Sequence, residues 1–230
     1  MSSEEYWSGS LIASLCLTPV GDFNGDSLSV DKRLFELYAS PFRWPEQTGK
    51  RQRIMHFAET GLNGAKVIDP SPHEDDRGRF MRAWCAREFS EHGIDFLPVQ
   101  ANMGFSASKG TVRGMHFQEA PALEAKLVRC TRGAMFDVVL DLRSTSQTFG
   151  KWYGTELSAK NGRMILVPQE CAHGYQTLEE NTEMYYMTSA FYTPSAVRGA
   201  RFDDPFFHIA WPLVATVVSE QDRNWPLMTR

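Results

Sequence analysis

From His56 onward, apolar and polar side chains alternate in short runs that are cut by glycine, proline and acidic turns. Ala65-Lys66-Val67-Ile68 stops at Asp69-Pro70. In Met135 to Asp141, Phe136, Val138 and Leu140 form one face, with Asp137, Val139 and Asp141 on the other. Met164 to Pro168 and Glu183 to Thr188 continue the series. Many short strands between turn residues predict a sandwich or barrel. Only Ala86 to His92 has a clear helical pattern in this part. The expected fold class is therefore all-β with few short helices, and an antiparallel jelly-roll sandwich would cover most of its edges and leave a central cavity.

Residues 1–55 differ in character. Gly21, Gly25, Pro41 and Pro45 interrupt them, and a helix-like piece runs from about Val30 to Ala39. Asp31 could cap that piece, with Leu34, Leu37 and Tyr38 as its apolar face. Trp7, Leu34, Phe35, Phe42 and Trp44 give the segment apolar surface to bury. We expect an N-terminal extension packed on the core or on a partner subunit, followed by the jelly-roll domain at 56–230.

Bulk properties narrow the class. With 230 residues, 42% hydrophobic and 23% charged, the composition is that of an ordinary soluble protein. A net charge of -4 gives no basic excess for non-specific nucleic-acid binding. Leu11 to Leu17 is apolar, but it is too short to span a bilayer, and Glu4 and Glu5 precede it instead of a cation. The four cysteines form no C-x-x-C pair. Reduced thiols in a cytoplasmic protein are expected, with neither membrane nor nucleic acid as partner.

The segment Val112-Arg113-Gly114-Met115-His116-Phe117-Gln118 carries the most chemistry. On an unbroken strand Arg113 and His116 would face opposite sides. A glycine inside a strand can mark a bulge or a close backbone approach, and a bulge at Gly114 would turn both toward one cavity. Arginine forks bind phosphate, and neutral imidazole accepts protons near pH 7. The same two residues also fit a surface cation and a hydrogen-bonded core histidine. Four further clusters are Asp76 to Phe80, the amides Gln100 and Asn102 on one strand face, Cys171 to Tyr175, and Ser219 to Arg223.

In order, Asp76-Arg77-Gly78, Gln100-x-Asn102, Arg113 to Gln118, Lys126-Leu127-Val128, Phe136-Asp137-Val138, Thr148 to Trp152, Ala172-His173-Gly174, Asp204-Pro205, Trp211-Pro212 and Ser219-Glu220-x-Asp222-Arg223 resemble the dTDP-4-dehydrorhamnose 3,5-epimerases. The resemblance covers about His56 to Leu227. It implies a jelly-roll (cupin-like) fold, usually as a homodimer, that uses no metal and no cofactor and acts on a nucleotide-linked 4-keto-6-deoxyhexose. It implies that His116 is the base, oriented by Asp222, that Lys126 stabilises the enolate oxygen at C4, and that Tyr186 protonates the opposite face. Arg77 and Arg113 would grip the diphosphate beside Phe80, Gln100 and Asn102. Asp137, His173 and Tyr192 would line the pocket. Carbons 3 and 5 both flank the ketone, so one base and one acid on opposite faces can invert either centre.

Arg82 stands where the family usually has glutamate, and Ala210 where it usually has an acid, which leaves the sugar and the nucleotide open; some relatives invert carbon 3 alone with the same acid and base, and that reading stays open too. Two other readings compete. A metal-dependent cupin needs imidazoles and a carboxylate around one ion, yet Gln118 takes the place of the second histidine of an H-x-H pair. A non-catalytic sugar-nucleotide binder predicts that His116, Lys126, Tyr186 or Asp222 lies away from the pocket.

Overall fold

The computed structural model describes residues 55–228. The expected extension and its helix-like piece fall almost entirely outside the described residues. Among the described residues, thirteen strands and two short α-helices follow one another, with one 3-10 turn at Pro194–Ala196. They are β1 (Met55–Glu59), β2 (Lys66–Pro70), β3 (His73–Asp75), β4 (Gly78–Phe80), α1 (Ala86–Glu91), β5 (Gln100–Ser106), β6 (Val112–Gln118), β7 (Lys126–Arg132), β8 (Ala134–Asp141), β9 (Trp152–Ser158), β10 (Met164–Val167), β11 (Cys171–Thr177), β12 (Thr182–Thr188), β13 (Val197–Gly199) and α2 (Glu220–Asn224). One sheet has the order β1-β2-β10-β7-β12-β5, the other β13-β6-β11-β8-β9, and β3-β4 form a separate hairpin. The paired strands are antiparallel, and the crossovers between the two sheets make a jelly roll.

Alternation decides what each strand buries. Val128, Cys130, Ile165 and Met184 of the larger sheet pack against Met135, Val139, Leu157 and Tyr175 of the smaller one. The opposite face of β8 is not left to water. Val138 and Leu140 there pack with Phe207 beneath Phe206 and Trp211, on the segment that follows β13. Strand β8 is therefore buried on both faces although its sequence alternates. The outer face of the larger sheet is covered near Leu127 and Leu166 by Phe89 of α1 together with Ile94 and Phe96. Each such large apolar side chain contributes about 1.5–3 kcal/mol on burial.

Helix α2 was read from sequence only as a short polar run. It forms because Ser219 is an N-cap, its side chain accepting the Asp222 N–H. Glu220 and Asp222 sit in its first turn and Arg223 in its last, matching the helix dipole.

At the end of β8, buried Asp141 organises the following loop. It accepts hydrogen bonds from Arg143 (Nη2, 2.8 Å), Ser146 (2.6 Å) and Thr148 (2.6 Å). Burial pushes its carboxyl up, but these donors more than offset that and hold it well below the usual carboxylate range. A depressed folded pKa adds stability above the unfolded value of about 4, and that stability is lost as the pH falls below it. Asp141→Asn should cost about 2–4 kcal/mol near neutral pH and flatten the acid limb of a stability-versus-pH curve from urea unfolding. An acid limb as steep as that of the unaltered protein would refute this.

Among the described residues no helix is long and apolar enough to cross a membrane.

Candidate active site

Strand β6 supplies two of the site's side chains through an irregularity. On β11, His173 pairs with His116 and Tyr175 with Arg113, so three steps along β6 match two along β11. The extra residue is a bulge at Gly114-Met115, which puts Arg113 and His116 on the wall of one cavity while Met115 turns outward into the core beneath Phe207. Gly114 has φ +126, and a Cβ there would lie 2.5 Å from Gly174 Cα and 2.8 Å from the His173 carbonyl oxygen. Only glycine fits both the conformation and the close strand approach.

His116 Nε2 lies 2.6 Å from Asp222 Oδ1. The other oxygen, Oδ2, accepts the Gly114 N–H at 3.2 Å. Burial pushes the Asp222 carboxyl up. The His116 hydrogen bond and charge, with Gly114 and Ser219, outweigh it and bring Asp222 below its ordinary value. With Nε2–H donating to Asp222, Nδ1 is the nitrogen left to accept a proton. Trp225 packs edge-on to the imidazole, its ring 6.5 Å away centre to centre.

Across the interior, β7 presents Lys126, whose Nζ donates to the His116 carbonyl at 3.2 Å and pairs with Glu124 Oε1 at 3.0 Å. Both side chains are only 9% exposed. From β12, Tyr186 faces the same space, while its neighbour Tyr185 does not line it. Burial pushes the Tyr186 phenol up, and the Glu124 charge adds to that, so the side chain is held protonated. His116, Lys126 and Tyr186 thus line one continuous space, with a cavity of about 520 Å³ on the Arg113 side and about 180 Å³ on the Gln100 side. A cation, an imidazole whose tautomer is fixed and a protonated phenol around one cavity can move protons at a carbon next to a carbonyl.

Gln100 and Asn102 share a face and line the smaller cavity, as does Tyr192. Gln100 Oε1 accepts the Tyr192 N–H at 3.1 Å, and its Nε2 donates to Asn102 Oδ1 at 3.1 Å. These amides hold the Tyr192 loop as well as facing the cavity. His173 lines the larger cavity and pairs with fully buried Asp137, Nε2 to Oδ2 at 2.9 Å. The other Asp137 oxygen is buried without a hydrogen-bond partner. Among the described residues no three His, Cys, Asp or Glu side chains cluster as a metal site. His116 and His173 are cross-strand neighbours, each paired with its own aspartate.

Arg77 and Phe80 lie apart from the other candidates. The structure does not bring them to this chain's cavity. They sit on the β3-β4 hairpin, around a separate concavity, with the Arg77 side chain 88% exposed and paired with Asp75, and Phe80 78% exposed. Hydrogen bonds from Arg79 to the carbonyls of Ala159 and Lys160 anchor the hairpin there. Arg82 is likewise engaged elsewhere, with Glu88 of α1. Sequence reasoning missed Glu124, Gln118 and Gln221, all of which line the smaller cavity. Glu124 stands in a loop outside any strand pattern. Its spacing of two from Lys126 was the available signal.

Residues 59–230 match the family model of dTDP-4-dehydrorhamnose 3,5-epimerase. An enzyme of that name from Sinorhizobium fredii is 43% identical over 173 residues, 75% of this chain and 89% of the relative. A Legionella pneumophila epimerase solved in complex with dTDP-4-keto-L-rhamnose is 34% identical, with TM-score 0.72 over 75% of this chain and 92% of that one. A 3'-monoepimerase from Streptomyces bikiniensis, solved with dTDP-quinovose, is 31% identical, with TM-score 0.69 over 73% and 85%.

Proposed function

The chain belongs to the dTDP-4-dehydrorhamnose 3,5-epimerase family, and from that premise we propose that it inverts carbons 3 and 5 of a nucleotide-diphospho-4-keto-6-deoxyhexose. One observation carries this reading: the His116–Asp222 pair, Lys126 and Tyr186 converge on one cavity lined on its other side by Arg113. The C4 ketone acidifies the hydrogens on carbons 3 and 5. His116 removes one, and Asp222 stabilises the imidazolium that forms. The electron pair moves onto the C4 oxygen, where the Lys126 ammonium meets the growing charge in a largely dry pocket. Tyr186 returns a proton from the opposite face, and inversion follows from that geometry. Arg113 binds the diphosphate with a fork that Ser106 Oγ and the Phe105 carbonyl hold in place.

The test is incubation with dTDP-4-keto-6-deoxyglucose in D₂O, followed by NMR. Deuterium at both carbons with inversion at both is the expected result. Label at carbon 3 alone would reduce the activity to a 3-epimerase, and binding without label would overturn the enzymatic reading.

Two coarser elements belong to the same proposal. The chain acts as a homodimer in which the β3-β4 hairpin of a second copy brings Arg77 and Phe80 to the nucleotide. The exposure of that hairpin and of Met103 and Phe105 on edge strand β5 supports this. Sedimentation at the mass of one chain would overturn it. A cytoplasmic location is supported by the free thiols of Cys85, Cys130 and Cys171, and cell fractionation tests it.

A further inference from the structure

Glu124 has no part in the chemistry above, yet it is paired with Lys126, which has one. The two charges are 3.0 Å apart, both side chains are nearly buried, and both line the smaller cavity with His116 and Tyr186. A carboxylate beside Lys126 weakens the field that stabilises an enolate, so a further use has to account for its position. Three of the four side-chain amide oxygens lining that cavity are already engaged. Gln100 accepts from the Tyr192 N–H, Asn102 from Gln100, and Gln118 from the Thr193 N–H. Glu124 is the carboxylate lining that cavity, and Lys126 is the cation it meets.

An α-hydroxy ketone presents a matching pair. Its carbonyl oxygen accepts, its hydroxyl donates, and the two oxygens lie about a hydrogen-bond length apart. Lys126 has three protons, and one goes to the His116 carbonyl. We propose that Glu124 is a specificity-determining residue that accepts the hydrogen bond of the sugar's C3 hydroxyl while Lys126 holds the C4 oxygen, so that the pair reads a 3-hydroxy-4-ketone as a unit. The inference rests on the epimerase reading.

Exchange at carbon 5 tests it, because that carbon reacts in sugars with or without the C3 hydroxyl. The substrates are dTDP-4-keto-6-deoxyglucose and its 3-deoxy analogue, followed in D₂O. The unaltered enzyme should label carbon 5 of the 3-deoxy analogue with kcat/KM lower by roughly 10- to 100-fold, the effect of one hydrogen bond to a charged group. Glu124→Ala should lose a similar factor on the natural sugar and nothing further on the analogue. Unchanged dTDP affinity in calorimetry would show that the variant is folded. Glu124→Gln, which keeps an acceptor oxygen without its charge, should fall between. Equal slowing of both sugars by Glu124→Ala would overturn the inference, since a merely structural role predicts it. So would equal rates of the unaltered enzyme on the two sugars. If that enzyme labels neither carbon of the natural sugar, the epimerase reading fails, and this inference with it.

Discussion

His116→Ala should abolish deuterium incorporation at carbons 3 and 5, lowering the exchange rate by on the order of 10³-fold, while nucleotide affinity stays within about twofold of the unaltered protein. The asymmetry follows from the contacts. The imidazole meets Asp222 and, in the proposed mechanism, the reacting carbons, whereas Arg113 is held by Ser106 and the Phe105 carbonyl, independently of His116. Loss of the ring leaves Asp222 its bonds to the Gly114 and Ser219 groups, so α2 remains capped. Tyr186→Phe supplies the contrast. Deprotonation by His116 survives there, so exchange should persist while net inversion slows, because the opposite-face donor is gone. Exchange at the native rate in His116→Ala would remove the base from the mechanism. Parallel loss of exchange and inversion in Tyr186→Phe would remove the acid.

How much of this was legible in the chain can be judged residue by residue. The period of two placed Gln100 with Asn102, and separated Tyr186 from Tyr185, because side chains alternate across a strand whatever sheet it joins. It also identified both faces of β8, but not that both are buried. The second cover, from Phe206 to Trp211, comes from a distant segment that alternation does not reveal. Helix α2 escaped because five residues are too few for a helical period. Arg77 and Phe80 show a different limit. The resemblance suggested substrate contact without saying which copy's cavity they reach, because the place where a short hairpin docks depends on Arg79 reaching backbone carbonyls some eighty positions away. Glu124 lies in a loop, where a single acid ordinarily reads as solvated, and only the fold reveals that it is nearly buried against Lys126.

Gly114→Ala, the removal of a single hydrogen atom in favour of a methyl group, should damage the protein as badly as any substitution at the site. Two independent costs meet at this position. At φ +126 an L side chain is strained, by about 1–3 kcal/mol. The new methyl would also be driven into β11, 2.5 Å from Gly174 Cα and 2.8 Å from the His173 carbonyl, both backbone atoms that no rotamer change can move. Overpacking of this kind costs about another 1–3 kcal/mol. The strands can part only by undoing the bulge that turns Arg113 and His116 toward one cavity, and the Gly114 N–H that steadies Asp222 moves with them. Urea unfolding should therefore show a loss of roughly 2–6 kcal/mol, and the protein that remains folded should have lost most of its exchange activity. Gly61→Ala is the control: its φ is also positive, at +85, but nothing lies within 4 Å of a new methyl. It should pay the conformational cost alone and keep its activity. If Gly114→Ala were as stable and as active as Gly61→Ala, the close approach of β6 to β11 would not be what shapes the site.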